Sequence, residues 1–145
     1  MIQFGHNDQP GKPGRSTDLT TEFPANLKRY VQEAKAAGAN PVLVTPLSRR
    51  SYKDGVIDNG LGPWADAARK VAGEQKVTVI DLNAESVALL NKVGPAEADS
   101  YAVEPAPGTK FDHTHLGPKG AAVFGEMVAH ELVQAVPELK KYFTL

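Results

Sequence analysis

Pro41-Val42-Leu43-Val44-Thr45-Pro46 is a short apolar run bounded by prolines, with no polar residue alternating through it. Such a run reads as a strand buried on both faces. A strand of that kind needs helices on either side, so its flanks decide the fold class. Upstream, from Pro24, residues Leu27, Tyr30, Val31, Ala34 and Ala37 recur at helical spacing, and Gly38 suits a C-terminal cap. Further upstream, Met1 to Phe4 is an apolar run entering Gly5 and reads as another strand, followed by a polar loop over 6–22. Downstream, a polar loop over 47–62 leads to Pro63, placed where a helix tolerates proline, and Trp64, Ala67, Ala68 and Val71 give that helix an apolar face. Val77 to Leu82 reads as a third strand, and Val87, Leu89 and Leu90 lie in a helix that Asp81 or Asn83 can cap. Residues 94–113 read as a long loop, and a last helix runs from Pro118 to about Val136, ended by Pro137.

Strand, helix, strand, helix, strand, helix, helix is the order of an α/β domain with a short parallel sheet flanked by helices. In open sheets of this class the site lies beyond the C-terminal strand ends. Those ends carry Gly5-His6-Asn7, Pro46-Leu47-Ser48-Arg49-Arg50 and Asp81. The loop before the last helix is expected to bring Asp112 and His115 to the same rim.

Composition narrows the function classes. With 145 residues, 41% hydrophobic and 23% charged, the chain suits one globular domain, residues 1–145. A formal net charge of −1 gives no electrostatic footprint for nucleic acid or an anionic membrane. With no cysteine there is neither a disulfide framework nor a thiol nucleophile. No apolar run reaches membrane-spanning length and the first residues show no signal-peptide pattern, so the chain as written reads as cytoplasmic.

Two short motifs carry the chemistry. In Phe111-Asp112-His113-Thr114-His115-Leu116-Gly117-Pro118, a carboxylate stands three residues before a histidine on a turn that enters a helix. Asp112 can hold the His115 imidazole through its Nδ1 hydrogen and leave the other nitrogen free as a general base. The competing reading is a hydrogen-bonded cap for the last helix. Phe4-Gly5-His6-Asn7-Asp8 opens the chain with an asparagine amide just past a strand end, a suitable donor for the oxyanion of acyl transfer. Its competing reading is a turn that selects glycine, asparagine and aspartate for their backbone preferences.

Taken together, the two motifs resemble two sequence blocks of the SGNH (GDSL-type) ester hydrolases, in particular the rhamnogalacturonan acetylesterase branch. The resemblance implies a flavodoxin-like, three-layer SGNH hydrolase fold. It implies that His115 and Asp112 are the triad histidine and aspartate, that Asn7 is an oxyanion donor, and that Gly5 permits close backbone approach. It also implies a serine block upstream of Gly5, where only four residues stand and none is serine. The chain is therefore expected to be an N-terminally truncated SGNH domain, with secretion open to it if a leader precedes residue 1.

Ser48, at a strand end on the expected rim, is the resident candidate for nucleophile. The alternative is attack by water activated at His115. His6, Arg49, Arg50 and His113 are candidate substrate-binding residues, the arginines suited to acidic sugars. No cofactor is implied. A zinc site from His6, Asp112, His113 and His115 is too loosely spaced to be preferred, so no metal is expected. The expected substrate is a small acyl ester or acetylated sugar. A reading from another class is a catalytically impaired fragment that binds sugar and self-associates. Without upstream neighbours, Ile2-Gln3-Phe4 becomes an apolar edge strand, so a homo-oligomer formed through it is expected.

Overall fold

A computed structural model describes residues 1–145 and divides into two compact units, Met1–Leu47 with Leu61–Asn83, and Ser48–Gly60 with Ala84–Leu145. The first unit holds a parallel sheet in the order β1 (Ile2–Gln3), β2 (Val42–Val44), β5 (Thr78–Ile80). Ile2 pairs with Leu43, and Leu43 with Val79. Val42, Leu43 and Val44 are all buried, as expected for a central strand covered on both faces. β1 is an edge of this sheet, with Met1 and Phe4 exposed.

Helix α1 (Glu22–Ala36) starts earlier than its apolar spacing predicts. Asp18 organises the entry: its Oδ1 accepts the N–H and hydroxyl of both Thr20 and Thr21, while its own N–H donates to Glu22 Oε2. These bonds, the Thr20 and Thr21 hydroxyls first, hold the Asp18 carboxyl down to about 2. The buried stripe is Phe23, Leu27 and Val31, four residues apart. Phe23 was hidden in the sequence behind Pro24, whereas Ala37 lies outside the helix and is exposed. Against this stripe pack Leu43 and the face of α2 (Gly62–Gln75) made by Trp64, Ala68, Val71 and Ala72.

The second unit opens with a feature absent from the sequence reading, a hairpin of β3 (Tyr52–Lys53) and β4 (Val56–Ile57) in the stretch expected to be irregular. Asp54 and Gly55 both take positive φ, 51° and 82°, the requirement of a two-residue primed turn. Tyr52 Oη donates to the Leu90 carbonyl at 2.7 Å, and Asn91 Oδ1 accepts the Ile57 N–H at 2.7 Å. These bonds dock the hairpin on α3 (Leu82–Asp99).

The expected long loop begins late, because helical structure resumes after a break at Gly94 and reaches Asp99. Gly94 adopts φ 78°, ψ 172°, since the proline that follows disfavours helical geometry there. Helix α4 (Pro118–Ala135) buries Gly120, Phe124 and Leu132, and Phe124 meets Tyr101 edge to face. The helix stops at Ala135, ahead of Pro137 as expected, and Pro137–Tyr142 form a 3-10 helix. No helix is long and apolar enough to cross a membrane.

Candidate active site

In the second unit the segments 48–50 and 112–115 come together. Asp112 Oδ1 accepts the N–H groups of Thr114 and His115 at 2.7 and 2.8 Å, folding residues 112–115 into a turn around their own carboxylate. The same turn brings Asp112 Oδ2 to His115 Nδ1, 2.7 Å away. Three contacts hold the Asp112 carboxyl at about 2, led by the His115 N–H, then the His115 side chain and the Thr114 N–H. An ionised carboxylate only accepts, so Nδ1 carries a hydrogen, and whenever the ring is neutral its lone pair is on Nε2. The His115 side chain is 80% exposed, which opens that nitrogen to solvent.

The surrounding residues fall into different roles from those expected. Ser48 is 2% exposed; its hydroxyl donates to the Arg49 carbonyl and its N–H to Ser86 Oγ. Its reading as nucleophile is corrected: a strand-end position suggested exposure, but the side chain is enclosed. Arg50 is corrected in the same way, from substrate contact to interior residue. It is 1% exposed, and its Nη2 donates to the carbonyls of Asp112 and His115. Arg49 is half-buried and donates from Nε to Thr114 Oγ1 at 3.1 Å. His113 is exposed, but its Nδ1 is committed to the Arg50 carbonyl at 2.9 Å, while Phe111 meets the ring edge to face. The site therefore leans on three residues that the motif reading passed over or assigned otherwise: Arg50, Thr114 and Ser86. No group of three His, Asp or Glu side chains converges in a way that could hold a metal ion.

In the first unit, Gly5 follows β1 with φ 134° and packs against Pro46, where an added Cβ would lie 3.0 Å from Cγ. A side chain there would meet both strain and crowding. Asp8 anchors the loop, accepting the Gly5 N–H at 2.8 Å on Oδ2 and the Thr17 hydroxyl at 3.1 Å on Oδ1. Asn7 is exposed beside a cavity of about 300 Å³ that Phe4, Arg15, Asn26 and Tyr30 help to line. His6 is half-buried. Asp81, expected on the rim, is engaged by Arg69 Nη1 at 2.6 Å and the Thr45 hydroxyl at 2.9 Å.

Residues 1–128 match the GDSL-like Lipase/Acylhydrolase family. The chain is 35% identical over 130 residues to a probable rhamnogalacturonan acetylesterase, YesY, and 35% identical over 150 residues to the rhamnogalacturonan acetylesterase RhgT, both from Bacillus subtilis. These alignments cover 89% and 98% of this chain, but it spans only 59% and 63% of those relatives. Among solved structures, the B. subtilis protein YxiM superposes with a TM-score of 0.73 at 24% identity, over 91% of this chain and 35% of that one. Axe2, an acetyl-xylooligosaccharide esterase from Geobacillus, gives 0.63 at 18% identity, over 92% and 57%. The structural likenesses support the α/β fold with its short parallel sheet. The chain belongs to the GDSL-like lipase/acylhydrolase family.

Proposed function

We propose that this chain is an ester hydrolase domain acting on small acyl groups, specifically acetyl esters of carbohydrate. The observation that carries the reading is the 2.7 Å contact between Asp112 Oδ2 and His115 Nδ1, with the ring otherwise open to solvent. The names of YesY and RhgT supply the substrate class. In this proposal His115 Nε2 takes a proton from the attacking oxygen and returns it to the leaving alcohol. Asp112 holds the tautomer and stabilises the imidazolium as it forms. Asn7 is assigned the oxyanion from the resemblance of its block, and Gly5 the close backbone approach. With Ser48 enclosed, the candidate that residues 1–145 leave is water activated at His115.

That enclosure favours a second reading, a carbohydrate-binding domain without turnover. Hydrolysis of p-nitrophenyl acetate and of acetylated pectic oligosaccharide by the purified chain separates the two. The first reading expects release of acetate above the buffer rate from both, abolished in His115→Ala. Oligosaccharide binding with no acetate release would support the second. Equal rates for the chain and His115→Ala would sink the first.

We also propose that copies associate through β1, whose outer edge leaves backbone groups unpaired beside exposed Met1 and Phe4. Sedimentation at micromolar concentration should then show a concentration-dependent dimer. A monodisperse monomer across that range would remove the proposal.

A further inference from the structure

We propose that Arg50 is a positioning residue for the Asp112–His115 pair, gripping the main chain of residues 112–115 from a buried seat. The inference rests on the ester-hydrolase reading, since only there does the pair have chemistry to perform. Arg50 is the largest fully buried side chain in the protein. Its Nη2 donates to the Asp112 and His115 carbonyls, each at 2.8 Å, and Nη1 reaches the Thr114 carbonyl at a long 3.5 Å. Its main chain completes the set: the Arg50 N–H donates to the His113 carbonyl, and the Arg50 carbonyl accepts from His113 Nδ1, both at 2.9 Å. Four consecutive residues are thus tied to one.

The Asp112 and Asp99 carboxylates favour the charged guanidinium from nearby, but its hydrogen bonds go to the main chain. The named partners of the guanidinium are carbonyl oxygens, and its Nε is buried without a partner. Burying a cation and an orphan donor opposes stability. An apolar side chain of similar length would fill the volume without that cost. It would lack the planar Nη2 amino group, whose two hydrogens reach carbonyls three residues apart, and the Nη1 group that reaches the Thr114 carbonyl between them. The turn is therefore held from two sides, its carbonyls by Arg50 and its N–H groups by Asp112 Oδ1. Asp112 Oδ2 and His115 Nδ1 meet because that turn is closed. Displacement of a reacting group by about 1 Å can cost on the order of 100-fold in rate.

The test pairs kinetics with a readout that needs no turnover. In Arg50→Lys, which keeps the charge and loses the planar amino groups, kcat for p-nitrophenyl acetate should fall about 10- to 100-fold with KM little changed. The Asp112 carboxyl, followed by carbon-13 NMR, should titrate above its wild-type midpoint of about 2, moving toward 3.8. A folded Arg50→Lys whose Asp112 midpoint stays in place would overturn the proposal, whether or not the chain hydrolyses esters. If wild type shows no turnover but the midpoint moves, the positioning role stands and the hydrolase reading fails. Should Arg50→Lys not fold, the wild-type protein decides: through-hydrogen-bond correlations from the Arg50 Nη to the Asp112 and His115 carbonyl carbons are expected. Their absence would overturn it.

Discussion

Asp112→Asn should cut ester hydrolysis by about 10²–10⁴, as much as His115→Ala, while leaving the fold intact at neutral pH. The substitution keeps size and shape. The carboxamide oxygen can replace Oδ1 as acceptor for the Thr114 and His115 N–H groups, so the turn survives. The amide nitrogen then faces His115 Nδ1 and donates to it. That forces the hydrogen of the neutral ring onto Nε2 and removes the lone pair that accepts the proton. Because the two residues act as a unit, the double variant should be no slower than either single one. Retention of the wild-type rate in Asp112→Asn would remove Asp112 from the mechanism.

The same substitution has a stability signature with a definite sign. The Asp112 carboxyl titrates at about 2 in the fold against an ordinary 3.8, held down chiefly by the His115 N–H. A depressed carboxyl stabilises the fold above its unfolded value, and that contribution is lost as pH falls from about 4 toward about 2. Wild type should therefore lose more Tm across this window than Asp112→Asn, which has no proton to take up. The difference is modest because Asp112 is partly solvated. Parallel Tm profiles from pH 5 to 2 would show that the carboxylate is not held by these bonds.

What the sequence disclosed follows from the range over which each feature is determined. Val42-Leu43-Val44 was legible because burial on both faces leaves a compositional mark on the strand itself. Asp112 and His115 were legible because a three-residue spacing within one turn fixes their meeting locally. The hairpin was also written locally, in Asp54-Gly55, but strands of two residues each give no alternation for a periodic reading to find. Ser48 and Arg50 failed for another reason. Their environments come from residues far along the chain, Ser86 for the first and 112–115 for the second. A guanidinium turned inward looks the same in sequence as one turned outward. The composition prior for arginine favours exposure, and the carbonyls that draw Arg50 inside leave no trace in residue types. The motif thus identified the pair that does the proposed chemistry and missed what holds it.

Gly120→Ala and Gly125→Ala should change stability in opposite directions although both lie in α4. Helix propensity alone favours alanine over glycine by about 1 kcal/mol in a helix interior. At Gly125 a new Cβ would meet nothing within 4 Å, so propensity decides and the variant should gain about 0.5–1 kcal/mol. At Gly120, in the first turn, the new Cβ would sit 2.4 Å from the Tyr101 carbonyl oxygen and 2.9 Å from Tyr101 Cβ. The first of these neighbours is backbone, held by the Gly117 N–H that donates to the same oxygen at 2.9 Å. It cannot swing aside as a flexible side chain would, and the clash overrides propensity, costing about 3 kcal/mol. The close approach also matters for the site. α4 begins three residues beyond His115, at Pro118, and the His115 carbonyl accepts the Val103 N–H at 3.3 Å as well as Arg50 Nη2. Pushing α4 away from residues 101–103 would disturb the His115 carbonyl that Arg50 Nη2 also holds. Gly120→Ala should therefore lose activity at temperatures where it is still folded, whereas Gly125→Ala should keep the wild-type rate at a higher Tm. Equal Tm values for the two variants would show that α4 does not need the close contact at Tyr101.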